Sequence, residues 1–176
     1  KDEFVILGAA DKWLNPLNRE ALKYILSNIT SDMKIVIFGC NKEQLKQLPD
    51  SVIGIGYITD RSEMSKLYST ADVFVNVTLE DSLPTVNIEA QACGTPVITY
   101  ESGGSPETIS EKTGIVVPKY DKEALLKAIL KIKDRGKAIY EQKCLSHVEK
   151  NFVVEDRYKE YVDLYKKIEE RGGDHI

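Results

Sequence analysis

The feature that most constrains this chain is an alternation. Short, near-continuous apolar runs rich in Val and Ile are separated by longer amphipathic segments. The runs fall at residues 4–9, 34–38, 52–58, 73–77, 96–100 and 115–117. A run that is apolar at every position needs cover on both faces of its sheet. Helical spacing marks the segments between them, at 19–27, 42–48, 61–69, 84–93 and 106–110. Helices between doubly buried strands imply parallel pairing with right-handed crossovers. The spacing therefore predicts an α/β fold, a Rossmann-like doubly wound parallel sheet of about six strands.

Beyond Lys122 the strand runs stop. Ala124, Leu125, Ala128, Ile129 and Ile132 form one helical stripe. A second helical segment follows at 138–152. A third, at 155–170, carries Tyr158, Tyr161, Val162, Tyr165 and Ile168 at helical spacing. These predict a C-terminal helical tail on a single domain, ending in a frayed stretch at 172–176. The tyrosines of the last helix read as core or interdomain packing rather than as a stacking platform for nucleic acid.

A length of 176 residues suits one domain with a full core. A net charge of −4 without a long Lys/Arg block argues against nucleic acid as a partner. Cys40, Cys93 and Cys144, an odd and scattered set, read as reduced thiols of a cytosolic protein. They form no zinc spacing with His147 and His175, so no metal site is expected. No apolar run is long enough for a bilayer, and no signal peptide is visible. The start at Lys1-Asp2-Glu3, without an initiator Met, reads as a piece of a longer protein.

Open parallel sheets bind ligands beyond the carboxyl ends of their strands. That singles out the loops at 9–18, 39–41, 58–62, 78–85 and 101–105. The densest is "LEDSLPTVNIEAQACGTPVITYESGGSPE", from Leu79 to Glu107. Ser82 or Thr85 can cap the helix that follows, and Pro84 fits its first turn. The N–H groups of Leu83, Thr85 and Val86 then point out of a helix N-terminus, which favours phosphate or hydroxyl oxygens. Asp81 precedes that helix and Glu89 lies within it. A carboxylate accepts from two vicinal hydroxyls of a sugar or ribose. The plainer alternative makes Asp81 a capping acid and Glu89 a solvated helix residue.

Gly103-Gly104 either turns the chain or lets the backbone approach a ligand closely, with the turn favoured. Gly54-Ile55-Gly56 lacks the third glycine of a dinucleotide fingerprint. Lys12 and Trp13, in the first strand-end loop, could meet phosphate or another domain; surface anchoring is the expectation.

The segment "ADVFVNVTLEDSLPTVNIEAQACGTPVITYESGGSPETI" resembles the signature of group 1 (family 4) retaining glycosyltransferases of the GT-B fold. Its parts are an acid, seven residues, a Glu and then Ala. A Cys-Gly-Thr-Pro-Val run and a Gly-Gly-x-Pro-Glu turn complete it. The resemblance continues through "VILGAADKW", "GYITDRSEMSKLYSTADVFV" and "TGIVVPKYD" to the last helix. It implies that residues 1–176 are the single C-terminal, nucleotide-sugar-binding domain, with the N-terminal acceptor domain absent. The helix at 153–171 would pack toward that missing domain.

By the resemblance, Glu89 holds the ribose hydroxyls and Asp81 is the catalytic-side acid at the donor sugar. Ser82, Leu83, Pro84, Thr85 and Val86 form the loop for sugar hydroxyls and diphosphate, and Ile58 lies against the base. The family's first-loop Lys-Gly is replaced by Leu17-Asn18, so Lys12 or Arg19 would supply the positive charge at the diphosphate. The implied enzyme is a hexosyltransferase-type, bacterial, cytoplasmic protein of polysaccharide biosynthesis. Peripheral association of the full-length protein with the inner face of the membrane is compatible with it. It would use a UDP- or GDP-sugar donor with no other cofactor, and a glycan or lipid-linked acceptor held through the missing domain. This fragment is expected to be inactive alone. The competing expectations are a non-catalytic nucleotide- or sugar-binding domain and, less favoured, a related sugar epimerase.

Overall fold

The computed structural model describes residues 3–172; the start at Lys1-Asp2 and the expected frayed end beyond Gly172 lie outside the described residues. Six strands form one parallel sheet: β1 Phe4–Ala9, β2 Met33–Phe38, β3 Val52–Gly54, β4 Val73–Asn76, β5 Val97–Tyr100 and β6 Gly114–Val117. Their order is β3-β2-β1-β4-β5-β6, the Rossmann-like arrangement predicted above. The helices are α1 Ala10–Trp13, α2 Arg19–Asn28, α3 Lys42–Gln47, α4 Arg61–Thr70, α5 Thr85–Ala92, α6 Lys122–Arg135, α7 Ala138–Asn151 and α8 Val154–Gly172. Single 3₁₀ turns occupy Pro16–Asn18 and Ser105–Thr108. The segment expected as a helix at 106–110 is the second of these, too short to continue after Ile109 extends.

The period of two along each strand splits the core into two layers. Ile6, Ile35, Ile37, Val73, Val75 and Ile98 pack with Leu22 and Ile25 of α2 and Leu125, Ile129 and Ile132 of α6. Leu7, Val36, Phe74 and Val97 face the other way, against Tyr68 of α4 and Ala90 of α5. Both faces are covered, which is why the strands carry no polar alternation.

β3 is shorter than the apolar run at 52–58 suggested. Ile55 N–H still donates to Ile37 O, at 2.8 Å, but Gly39 then turns out of β2 with φ 76°. Only Gly39 N–H to Gly56 O and Cys40 N–H to Ile55 O remain. Without a straight neighbour, Gly56–Asp60 becomes a loop leading into α4. Asp60 caps that helix, its carboxylate accepting from Ser62 and Glu63 N–H.

β1 and β4 pair only through Ile6–Val73 and Leu7–Phe74, then part. Two side chains fill the split. The Trp13 indole N–H donates to Val75 O at 2.9 Å, and Asn18 Nδ2 donates to Val77 O at 2.8 Å. Trp13 is fully buried, so the expected surface anchor is instead core. It lies over Gly8, where a Cβ would come within 2.0 Å of the indole nitrogen.

The tail forms α6, α7 and α8 as expected. The tyrosines of α8 do not join this core: Tyr158, Tyr161 and Tyr165 are more than half exposed. With Val154 and Ile168 they recur at alternating steps of four and three, an apolar stripe left exposed among the described residues. No described helix is long and apolar enough to cross a membrane.

Buried groups make the fold sensitive to alkali; among them burial pushes the Cys40 thiol up, and three others are also raised. Burial pushes the Tyr100 phenol from its ordinary 10 up to about 12 and the Cys144 thiol from 9 up to about 12. Burial first, and then the charge of Glu89, also push the Tyr68 phenol well above its ordinary value. Raised folded-state values mean that the unfolded chain releases these protons first. Their stabilising share is complete below pH 9, the ordinary thiol value, and is lost as the pH climbs toward 12. The expected result is a melting temperature that declines over that interval, with phenolate absorbance from Tyr68 and Tyr100 appearing only with unfolding. Reversible ionisation of all nine tyrosines near pH 10 in the folded protein would contradict it.

Candidate functional site at the carboxyl end of β4

The loop after β4 is built from polar residues that are buried rather than solvated. Asn76, at the strand's end, donates through Nδ2 to Asn87 Oδ1 at 2.9 Å. Asn87 Nδ2 donates to Thr108 Oγ1 at 2.9 Å, and Thr108 Oγ1 donates to Ser105 O at 2.7 Å. Gln91 Nε2 donates to Asn87 O and Thr108 O. Ser102 Oγ donates to Thr78 O at 2.8 Å. This network ties three pieces into one body: the end of β4, the inner face of α5 and the 101–108 segment. Gln91 Oε1 and Ser105 Oγ find no partner among the described residues, but the remaining bonds tie these buried groups to one another and favour this geometry.

Asp81 closes an Asx turn: the Leu83 N–H donates to its Oδ1 at 3.1 Å. Its backbone carbonyl accepts from Gly104 N–H at 2.9 Å. The Gly103-Gly104 turn thus packs directly against the backbone of the 81–82 loop. A Cβ on Gly103 would meet Asp81 O at 2.2 Å, and one on Gly104 would meet Ser82 O at 1.8 Å.

Pro84 is the residue that caps α5, and no side chain bonds there. The expected Ser82 or Thr85 cap is therefore absent, and the Leu83 N–H is taken by Asp81. Among the described residues nothing accepts from the N–H of Thr85 or Val86, so these two point from the helix start as expected. Ser82, Leu83 and Thr85 are exposed, Pro84 is buried, and Val86 packs against the second core layer.

Glu89 follows Thr85 by four residues and shares its face of α5. It borders a groove of about 430 Å³ between α4 and α5, with Arg61, Met64, Ser65, Tyr68 and Cys93. The residue is exposed, but Oε2 accepts from the Tyr68 hydroxyl at 3.1 Å. It is therefore more than a solvated helix residue. Ile58 lies half-buried in the loop that leads from β3 to Arg61.

The two cations lie on the first helices, Lys12 on α1 and Arg19 at the start of α2. Lys12, on α1, pairs with Asp11 at 3.2 Å. Arg19 borders a separate groove between α2 and α3, with Trp13, Leu22, Gln47 and Leu48. Asn18, one of the pair at the family's Lys-Gly position, is buried and bonded to Lys12 O and Val77 O. No group of metal-ligating side chains occurs among the described residues.

Sheet order, loop and carboxylates together define a Rossmann-like α/β domain with an acid-bearing loop–helix junction at its carboxyl edge. The chain belongs to the glycosyl transferases group 1 family, which it matches over residues 3–134. It is 33% identical over 88 residues to a D-inositol 3-phosphate glycosyltransferase of Mycobacteroides abscessus, covering 49% of this chain and 20% of that protein. It is 25% identical over 175 residues to the UDP-Gal:alpha-D-GlcNAc-diphosphoundecaprenol alpha-1,3-galactosyltransferase of Escherichia coli, covering 92% and 44%. Among solved structures, a sucrose-phosphate synthase from Thermosynechococcus elongatus superposes with a TM-score of 0.75 at 26% identity, over 95% of this chain and 46% of that one. HepE from Anabaena, solved with UDP, has the same fold: TM-score 0.77 at 17% identity, over 94% and 49%. The chain spans less than half the length of each of these relatives.

Proposed function

We propose that this chain is the donor-binding domain of a retaining glycosyltransferase that takes a sugar from a UDP- or GDP-sugar. The observation that carries the reading is the junction after β4. There Asp81, the two N–H groups at the start of α5, and Glu89 one turn further in follow one another along the chain, and in this reading they serve sugar, diphosphate and ribose in that order. The N–H groups of Thr85 and Val86 oppose the charge that develops on a leaving diphosphate, and a dry site makes them most effective. Asp81 accepts from hydroxyls of the donor sugar and Glu89 from the ribose diol, while Ile58 borders the base. In this reading no metal takes part.

The acceptor, a glycan or lipid-linked sugar, is held by the rest of the protein, and the apolar stripe of α8 packs against that part. The Escherichia coli relative, named for a diphosphoundecaprenol-linked acceptor, favours this acceptor class. A cytoplasmic protein working at the inner face of the membrane suits it.

The test is calorimetric titration of UDP and GDP into the wild type and Glu89→Ala. Wild type is expected to bind one of them, and the variant to lose on the order of 1.5–3 kcal/mol, the worth of a charged acceptor with hydroxyl partners. Equal affinities would remove Glu89 from the ribose. A second reading, binding without catalysis, is favoured by the first loop, where Leu17-Asn18 brings no cation and Lys12 is paired with Asp11. Sugar transfer by the full-length protein separates the two.

A further inference from the structure

Glu89 sits on the surface, yet one of its oxygens is tied from beneath. The Tyr68 hydroxyl that donates to Oε2 belongs to a side chain only 2% exposed. Its ring meets Phe74 edge-on at 5.5 Å and Phe38 at 6.0 Å. Its backbone carbonyl is held by Thr95 Oγ1 at 2.7 Å. Tyr68 is therefore fixed by packing on both sides. At neutral pH its phenol is protonated, and burial raises its pKa further, so it can donate to Oε2.

A glutamate on a helix surface samples rotamers about three torsions, and gripping a vicinal diol requires one of them. A carboxylate has about four lone-pair sites, of which the phenol uses one. Oε1 accepts from no described residue. We propose that Tyr68 is a positioning residue for ribose recognition: it pins Oε2 inward so that Glu89 presents Oε1 to the two ribose hydroxyls in the α4–α5 groove. The proposal rests on the donor-binding reading above. Its physical content is preorganisation, since a carboxylate already held in its bound rotamer loses less freedom when the nucleotide arrives. The alternative, that the hydrogen bond merely satisfies a buried phenol, predicts no dependence on the ribose.

Tyr68→Phe removes the donor and keeps the ring. The experiment measures its dissociation constants, beside those of the wild type, for UDP, GDP and the 2′,3′-dideoxy forms of both. The ribonucleotide is expected to bind roughly three- to tenfold more weakly to the variant, less than the more than tenfold worth of a direct hydrogen bond to a charged group, because Tyr68 acts only through Glu89. The dideoxy form, which offers Glu89 no hydroxyls, is expected to bind both proteins alike. In a Glu89→Ala background, Tyr68→Phe should change ribonucleotide affinity by no more than about twofold.

An equal loss for both kinds of nucleotide, or no loss for the ribonucleotide, overturns the positioning role and leaves the donor-binding reading intact. A loss that persists undiminished without Glu89 overturns it as well. Wild type that binds no nucleoside diphosphate at all brings down the donor-binding reading and this inference with it.

Discussion

Trp13→Ala is expected to destabilise the domain by about 3–5 kcal/mol, the cost typical of deleting a fully buried large aromatic. Trp13 has no exposed surface and closes the gap that opens where β1 and β4 part. Truncation leaves a void over Gly8 that backbone movement cannot readily fill, because Ala9 and Ala10 on one side and Val75 on the other belong to the core. It also strips Val75 O of the indole donor, and an unpaired buried carbonyl costs about 1–3 kcal/mol by itself. Trp13→Phe is the intermediate case: it keeps a six-membered ring but loses the pyrrole part of the indole together with its N–H. The predicted order of melting temperature is wild type, then Trp13→Phe, then Trp13→Ala, followed by far-ultraviolet circular dichroism. This chain has one tryptophan, so its fluorescence in the wild type reports on this split alone. If Trp13→Ala unfolded within about 1 kcal/mol of wild type, the indole would be a cover and not a wedge.

The parts of the fold that were legible in the sequence are those governed by period. Strands apolar at every position, such as Ile35-Val36-Ile37, show that both faces are covered, and with helical segments between them this predicts the parallel sheet. Trp13 was not legible, because it belongs to a single short turn with no period to read. Its role depends on where β1 stops pairing with β4, a tertiary fact. The overlong β3 has a similar cause. Ile55, Tyr57 and Ile58 have strand propensity, but Gly39 withdraws the neighbour they would pair with.

The candidate site divides in the same way. Asp81 and Glu89 stood out because acids beside a helix start, at the carboxyl edge of a strand, have a limited set of uses. Asn87 did not, although it lies between them. In "TVNIEAQAC" it reads as one more polar residue of a helix surface, while the structure buries it completely as the link from Asn76 to Thr108. Tyr68 was equally hidden. In "MSKLYST" it counts as an aromatic core residue, which it is. Only its hydroxyl, reaching Glu89 across 21 positions of sequence, links it to the groove.

Gly103→Ala should then be the substitution that damages fold and site together. Gly103 has φ 50°, the left-handed region, where a Cβ costs roughly 1–2 kcal/mol. That Cβ would also stand 2.2 Å from Asp81 O, and a backbone oxygen cannot rotate away as a side chain does. Relieving such overlap in packed structure costs typically about 1–3 kcal/mol. The movement separates the 103–104 turn from the 81–83 loop and breaks the bond from Gly104 N–H to Asp81 O, itself worth about 1 kcal/mol. The expected total is roughly 3–6 kcal/mol. Gly104→Ala is the informative partner, since Gly104 has φ −84°, which alanine adopts freely. Its loss comes only from the 1.8 Å approach to Ser82 O and should be the smaller of the two. Both variants shift the loop that carries Asp81 while leaving the anchor of Glu89 on α4 untouched. Binding of a nucleotide-sugar should therefore fall further than binding of the bare nucleoside diphosphate. If Gly103→Ala kept wild-type stability and bound both ligands equally well, the two loops would not be packed against one another, and the geometry described for Asp81 would be wrong.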